Sequence, residues 1–125
     1  MTRRRVWVDL DDVEKPDVVL YTDGSKMECG TGAGWAACVN DTVVAEDSTY
    51  LGSEASVFQA EVLAIEQALR WIIETCDKGT EALIRSDSLS AIQAITSPTT
   101  SSRMVHACKQ VLRQAKKTIA FVFDG

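Results

Sequence analysis

The most restrictive feature of this sequence is a set of three β-type segments between Pro16 and Tyr50, joined by links too short to hold a helix. Asp17-Val18-Val19-Leu20-Tyr21-Thr22 is apolar and β-branched, bounded by Pro16 and by Asp23-Gly24. Gly30, Gly32 and Gly34 punctuate a turn before a second strand, from about Gly34 to Val39. Asn40-Asp41 is a hairpin-type turn, and a third strand passes through Val43-Val44-Ala45 toward Tyr50. Strands joined this tightly pair antiparallel, so the first part of the chain is expected to be a meander.

The period then changes. Ser56 and Gln59 make a capping box, after which Phe58, Val62, Ile65, Leu69, Ile72 and Ile73 recur at helical spacing. Glu66, Arg70 and Glu74 form i,i+4 pairs on the exposed side, and the helix is expected to end near Cys76, before Gly79. Ala82-Leu83-Ile84 is a short buried strand ending at Ser86-Asp87. Ser88 caps a short helix carrying Leu89, Ile92 and Ile95, stopped by Ser97-Pro98. Ser101 or Ser102 caps a longer helix with Met104, Cys108, Val111 and Ala115 as its apolar stripe. Its charges are Arg103, Lys109, Arg113, Lys116 and Lys117. Thr118 to Phe123 is the last strand. The order β-β-β-α-β-α-α-β predicts an α/β fold with helices packed on a mixed sheet. Helical crossovers would return the later strands parallel to the first.

Residues 1–16, with the acids Asp9, Asp11, Asp12 and Glu14, read as a lead-in or linker, and residues 17–125 as one domain. A length of 125 residues, 46% of them hydrophobic and 25% charged, fits one globular domain. The net charge of −5 argues against a uniformly basic coat for nucleic acid. Charge is unevenly spread, however: 17 of the 18 acids lie at or before Asp87, and no acid falls between Ser88 and Phe123. The basic helix from Arg103 to Lys117 is therefore a candidate for phosphate contacts, or simply a solvated face. Cys29, Cys38, Cys76 and Cys108 are irregularly spaced and form no CxxC pair. With His106 as the single histidine they make no zinc pattern. The N-terminus lacks an apolar leader and no apolar run approaches the ~20 residues of a membrane span. An intracellular protein with reduced thiols and no membrane segment is expected.

Three acids stand out by placement. Asp23 is expected just past the first strand and Asp87 just past the fourth. If those strands are parallel neighbours, both carboxylates emerge at the sheet edge where α/β proteins build sites. Glu61 falls in the second turn of the capped helix, at the border of its apolar stripe. A carboxylate there is costly unless paired or metal-bound. Singly, each acid also fits a turn, a helix surface or an N-cap. Together, three converging carboxylates repel, and a cation relieves the repulsion. Oxygen-only donors suit Mg²⁺ or Mn²⁺ better than zinc. Gly30-Thr31-Gly32-Ala33-Gly34 precedes a strand, so it lacks the strand-then-helix context of a dinucleotide loop.

Four motifs in order, Tyr21-Thr22-Asp23-Gly24-Ser25, Gly32-Ala33-Gly34-Trp35-Ala36, Gln59-Ala60-Glu61-Val62-Leu63-Ala64 and Ser86-Asp87-Ser88, resemble the type 1 ribonuclease H domain. The variant is most similar to those carried by reverse transcriptases of retroelements, and the resemblance covers about residues 17–125. It implies a ribonuclease H-like five-stranded mixed sheet, ordered 3-2-1-4-5 and flanked by helices. It implies an endonuclease that cuts the RNA strand of RNA–DNA hybrids with two Mg²⁺ or Mn²⁺ ions about 4 Å apart. Asp23 would bridge both ions, while Glu61 and Asp87 would hold one of them. Gly24 would lie against the RNA strand, and Ser25 and Gln59 would contact the minor groove, where RNA is told from DNA by its 2′-hydroxyl. An adjoining polymerase domain is the implied neighbour.

The sequence also departs from that pattern. The family's fourth carboxylate opens a final helix after a glycine-histidine loop, whereas here the last strand is followed by Asp124-Gly125. The resemblance therefore implies a domain truncated at its C-terminus, with the final helix missing. It implies weak or no cleavage by this chain. An apolar sheet face would be left for self-association or a partner chain. Val57 and Phe58 stand where cellular members often carry asparagines, and a tryptophan-rich basic protrusion has no counterpart. Two other readings remain: a non-catalytic binding or scaffold module of the same fold, and a metal-dependent nuclease acting on DNA.

Overall fold

A computed structural model describes residues 4–7, 15–99, 102–115 and 118–124. Strand β1 is Arg4–Trp7, β2 Val18–Met27, β3 Gly30–Val39 and β4 Thr42–Gly52. Helix α1 is Val57–Thr75, then come β5 Glu81–Ser86, α2 Leu89–Thr96, α3 Arg103–Ala115 and β6 Thr118–Phe123. The acids at 9, 11, 12 and 14, together with Ser101, Lys116, Lys117 and the Trp7 side chain, lie outside what is described.

The first meander strand does not stop at Asp23-Gly24, as its turn-like dipeptide implied. It continues to Met27, because β3 pairs antiparallel along its whole length, through Asp23↔Gly34, Ser25↔Gly32 and Met27↔Gly30. The glycines expected in a turn are thus mostly inside a strand. The reversal falls instead at Glu28-Cys29, where Gly30 takes a φ of 146°. A Cβ there would sit 2.5 Å from the Tyr50 hydroxyl, which donates to the Cys29 carbonyl. The second reversal is the expected one: Asn40 and Asp41 both have positive φ, 51° and 63°, as a tight hairpin turn requires.

Strand β5 runs parallel to β2, and β6 parallel to β5. The sheet order is β1-β6-β5-β2-β3-β4. The expected 3-2-1-4-5 order is present within it, as β4-β3-β2-β5-β6. Arg4–Trp7, inside the lead-in, adds a sixth strand antiparallel to β6. One main core fills the space between sheet and helices. Leu20, Ile84, Ile119 and Phe121 of the strands meet Ile65, Leu69 and Ile72 of α1, Ile92 of α2 and Cys108 of α3. Trp35 and Trp71 close its rim with ring centroids 6.0 Å apart. Ala120 and Val122, which alternate with these residues along β6, are also buried. Leu83 on β5 and Val19 on β2 are half-buried.

The capping box at the start of α1 is formed. The Gln59 N–H donates to Ser56 Oγ at 3.1 Å, and the Ser56 N–H donates to Gln59 Oε1 at 2.9 Å. One expectation for α3 is corrected. Lys109, read as part of a charged face, is 7% exposed. Its ammonium donates to the Ser97 and Thr99 carbonyls at 2.5 and 2.8 Å. The lysine caps the end of α2 and the link after it, because carbonyls left without partners at a helix end attract a cation. His106 is exposed and lies 3.1 Å from Gln110. No described helix is long and apolar enough to cross a membrane.

Candidate functional site

The parallel pairing of β2 with β5 places Thr22 opposite Ser86, so Asp23 and Asp87 follow at neighbouring strand positions. Glu61 arrives from above, on α1. The approach of α1 to the sheet is unusually close, because small residues line it. Ala33, Ala60 and Ala64 form a second cluster there, all essentially buried. Gly24 is the tightest point: a Cβ on it would lie 2.6 Å from the Glu61 backbone nitrogen and 3.0 Å from Ala60.

That contact lets the Gly24 N–H donate to Glu61 Oε1 at 2.7 Å, while the Ser86 hydroxyl reaches Oε2 at 3.4 Å. Glu61 is 3% exposed. Both of its oxygens are therefore oriented by groups 37 and 25 positions away in sequence. Each of Asp23, Glu61 and Asp87 offers an oxygen within 4.8 Å of those of the other two. Asp23 and Asp87 are exposed while Glu61 is buried, so the trio opens to solvent at its two aspartates.

The electrostatics follow from this crowding. Burial, reinforced by the charges of Asp87 and Asp23, pushes the Glu61 carboxyl from its ordinary 4.5 up to about 7, against the pull of the Gly24 N–H and the Ser86 hydroxyl. Partial burial and the charge of Asp87 likewise raise Asp23, opposed by the Gly24 N–H. Three hard oxygen donors that resist ionising together fit a divalent cation, which supplies the missing positive charge. This donor set fits Mg²⁺ or Mn²⁺ and not a soft, thiolate-seeking metal.

A pH dependence follows. The folded-state value of Glu61 lies above its unfolded value, so its contribution to stability is complete below about 4.5 and disappears as pH rises through about 7. In chelator, the melting temperature should fall between pH 5 and pH 8, by an amount equivalent to on the order of 3 kcal/mol from this group. Glu61→Gln should flatten most of that fall. Added Mg²⁺ should offset it at pH 8 and not at pH 5, since metal and proton compete for the same oxygens. An equally steep fall in the glutamine variant, read by thermal denaturation, would rule this out.

Other anticipated contacts are distributed differently. Ser25 shares the exposed face of β2 with Asp23, and both border a depression of about 230 Å³ beside Gly32 and Gly34. Gln59 commits its carbonyl oxygen to the Ser56 cap, so the structure does not bring it into the trio. On the other side of the carboxylates, Val57, Phe58, Leu89 and Phe123 line a depression of about 510 Å³ together with Gly24, Glu61 and Asp87. Ser88 and Ser90 also line it, so its wall is mixed, with Val57 and Phe58 supplying part of the apolar side. Ser86 is the functional contact that sequence reasoning passed over. It sat inside a quoted motif, but nothing local marks a serine that reaches a glutamate on another element.

The RNase H family profile matches residues 15–122. No curated protein matches the chain. Among solved structures, the N-terminal RNase H domain of a Mycobacterium tuberculosis protein, solved as a fusion with maltose-binding protein, has 21% identity and a TM-score of 0.68. That match covers 84% of this chain and 79% of that one. RNase H1 of the halophilic archaeon Halobacterium salinarum has 22% identity and a TM-score of 0.67, with 83% of each chain covered. The foamy viral protease-reverse transcriptase, solved with an RNA/DNA hybrid, has 16% identity and a TM-score of 0.69. There 90% of this chain covers 18% of that one. These structural likenesses concern the fold.

Proposed function

Because the chain belongs to the RNase H family, we propose that it is a metal-dependent endonuclease domain that cleaves the RNA strand of RNA–DNA hybrids. The observation that carries this reading is the convergence of Asp23, Glu61 and Asp87, from three separate elements, at one edge of the sheet. Asp23, Glu61 and Asp87 are the residues proposed to hold Mg²⁺ or Mn²⁺. Bound there, such ions would stabilise charge developing on a phosphate and lower the pKa of water.

The protein's own contribution is positional. Gly24 and Ser86 occupy one lone-pair direction on each Glu61 oxygen, which leaves the others for a cation. Asp23, whose carboxyl is raised by partial burial and by Asp87, would be held ionised by a bound cation. The apolar side chains of Val57, Phe58 and Leu89 beside the carboxylates offer van der Waals contact to sugars. Ser25 and the free amide nitrogen of Gln59 are the proposed polar contacts to the hybrid.

The similarity to a reverse transcriptase structure that holds an RNA/DNA hybrid supports a retroelement origin and an adjoining polymerase domain. The test uses labelled RNA–DNA hybrid, duplex DNA and single-stranded RNA, with Mg²⁺, with Mn²⁺ and with chelator. Cleavage of the hybrid's RNA strand alone, dependent on the ion and leaving 5′-phosphate and 3′-hydroxyl ends, is the expected result. Hybrid binding without cleavage would favour a scaffold module, and cutting of duplex DNA would favour a DNA nuclease.

A further inference from the structure

Beside the carboxylates lies a second charged group of side chains that the reaction as described does not use. Arg85 sits on β5, directly across the parallel ladder from Tyr21 on β2. Its guanidinium carbon lies 5.5 Å from the centroid of the Tyr21 ring. Its Nη2 donates to Asp124 Oδ2 at 2.8 Å. Asp124 follows the end of β6 and is held there by its own N–H, which donates to the Ser86 carbonyl at 2.8 Å. Tyr21, Arg85 and Asp124 share one depression of about 290 Å³ with Asp23 and Asp87.

Two features of this arrangement point beyond a structural clasp. The first is charge: among the described residues, the lining of that depression carries three carboxylates and one cation, Arg85. A polyanion brought against Asp23 and Asp87 meets repulsion that a nearby cation relieves. The second is geometry. The guanidinium is a planar fork suited to two parallel bonds with a phosphate or carboxylate. Here Nη2 is engaged, while Nε is buried with no hydrogen-bond partner among the described residues. The pairing with Asp124 leaves the fork half used. The guanidinium lies over the Tyr21 ring, a contact that restricts its freedom before an anion arrives. The Arg85 side chain is 16% exposed and that of Asp124 36% exposed, so the partner is the more accessible of the two.

We propose that Arg85 is a phosphate-binding residue: a backbone phosphate of the bound nucleic acid, next to the one at the carboxylates, displaces Asp124 and takes the guanidinium fork. Asp124 is then an internal competitor that occupies Arg85 when no nucleic acid is bound. This inference rests on the proposed function and deepens it by naming a substrate contact outside the metal ligands. It predicts opposite effects for the two partners of one ion pair, which a shared structural role does not.

The test is the affinity of the full chain for a short RNA–DNA hybrid, by fluorescence anisotropy across a salt series. Ca²⁺ serves as the divalent ion, since it accepts oxygen donors in looser geometry. Arg85→Gln should weaken binding about tenfold and lower the slope of log affinity against log salt by about one. Arg85→Lys, which keeps the charge and loses the fork, should fall in between. Asp124→Asn should tighten binding several-fold, an outcome that no folding defect imitates. Arg70→Gln, removing an exposed cation on α1, should leave binding unchanged. If Arg85→Gln and Asp124→Asn weaken binding alike, or neither changes it, or Arg70→Gln matches Arg85→Gln, the inference is overturned while the proposed function stands. If the unaltered chain binds no hybrid, both are overturned.

Discussion

Asp23→Asn is expected to lower ion-dependent cleavage of RNA–DNA hybrid on the order of 10³-fold or more, while leaving the fold intact. The substitution keeps the side-chain shape and removes one charge from a cluster whose oxygens lie within 4.8 Å of one another. Divalent ions at a phosphoryl centre contribute several kcal/mol of charge stabilisation, and each 1.36 kcal/mol is tenfold in rate. The same substitution removes one source of the repulsion that raises Glu61. In chelator at pH 8 the variant should therefore melt no lower than the unaltered chain, and somewhat higher. A stable but inactive protein is the signature of a site residue. Undiminished Mg²⁺-dependent cleavage by Asp23→Asn would sink the assignment, and a large loss of melting temperature would mean that Asp23 serves the fold instead.

The second large effect is expected from a residue with no side chain. Gly24→Ala would place a methyl group 2.6 Å from the Glu61 nitrogen and 3.0 Å from Ala60. Both obstacles are backbone or short, so neither swings aside, and the first turns of α1 must lift from the sheet. Overpacking of this kind costs about 1–3 kcal/mol, which corresponds to a melting temperature lower by about 5–10 °C. The lifted helix would also stretch the 2.7 Å bond from Gly24 to Glu61. Loss of an orienting partner typically costs 10–100-fold in metal affinity or activity, so Mg²⁺ should stabilise the variant far less. Gly34→Ala is the control. Its added Cβ would lie 3.8 Å from the Asp47 carbonyl, an ordinary contact, and stability should change little. Equal behaviour of the two variants in thermal denaturation with and without Mg²⁺ would remove the close-approach explanation.

Several elements were legible because their signals are local. The Ser56–Gln59 capping box, the paired positive-φ residues at Asn40-Asp41 and the stop at Ser97-Pro98 each depend on neighbours within a few positions. The parallel return of β5 and β6 followed from the helical crossovers, whereas the sheet order was implied by the resemblance to ribonuclease H. Asp23-Gly24 misled because its turn chemistry is generic, while the strand is carried on to Met27 by pairing across the hairpin, from Asp23↔Gly34 to Met27↔Gly30, which the dipeptide itself does not show. Lys109 misled in a similar way. Helical spacing placed it among charges, yet carbonyls at the end of α2 draw it inward. The addition of Arg4–Trp7 to the sheet had no periodic signal in so short a segment.

The sequence by itself determined the types of element, their order and the three acids worth watching, since caps, turns and side-chain periods act over a few residues. Only the tertiary structure decided how near those acids come, and with what partners. That outcome depends on the small surfaces of Gly24, Ala33, Ala60 and Ala64, which set the height of α1 above the sheet. It depends equally on the strand registers that carry Ser86 to Glu61 and Arg85 to Asp124. Distances between residues dozens of positions apart are set by packing, and packing is a property of the whole core.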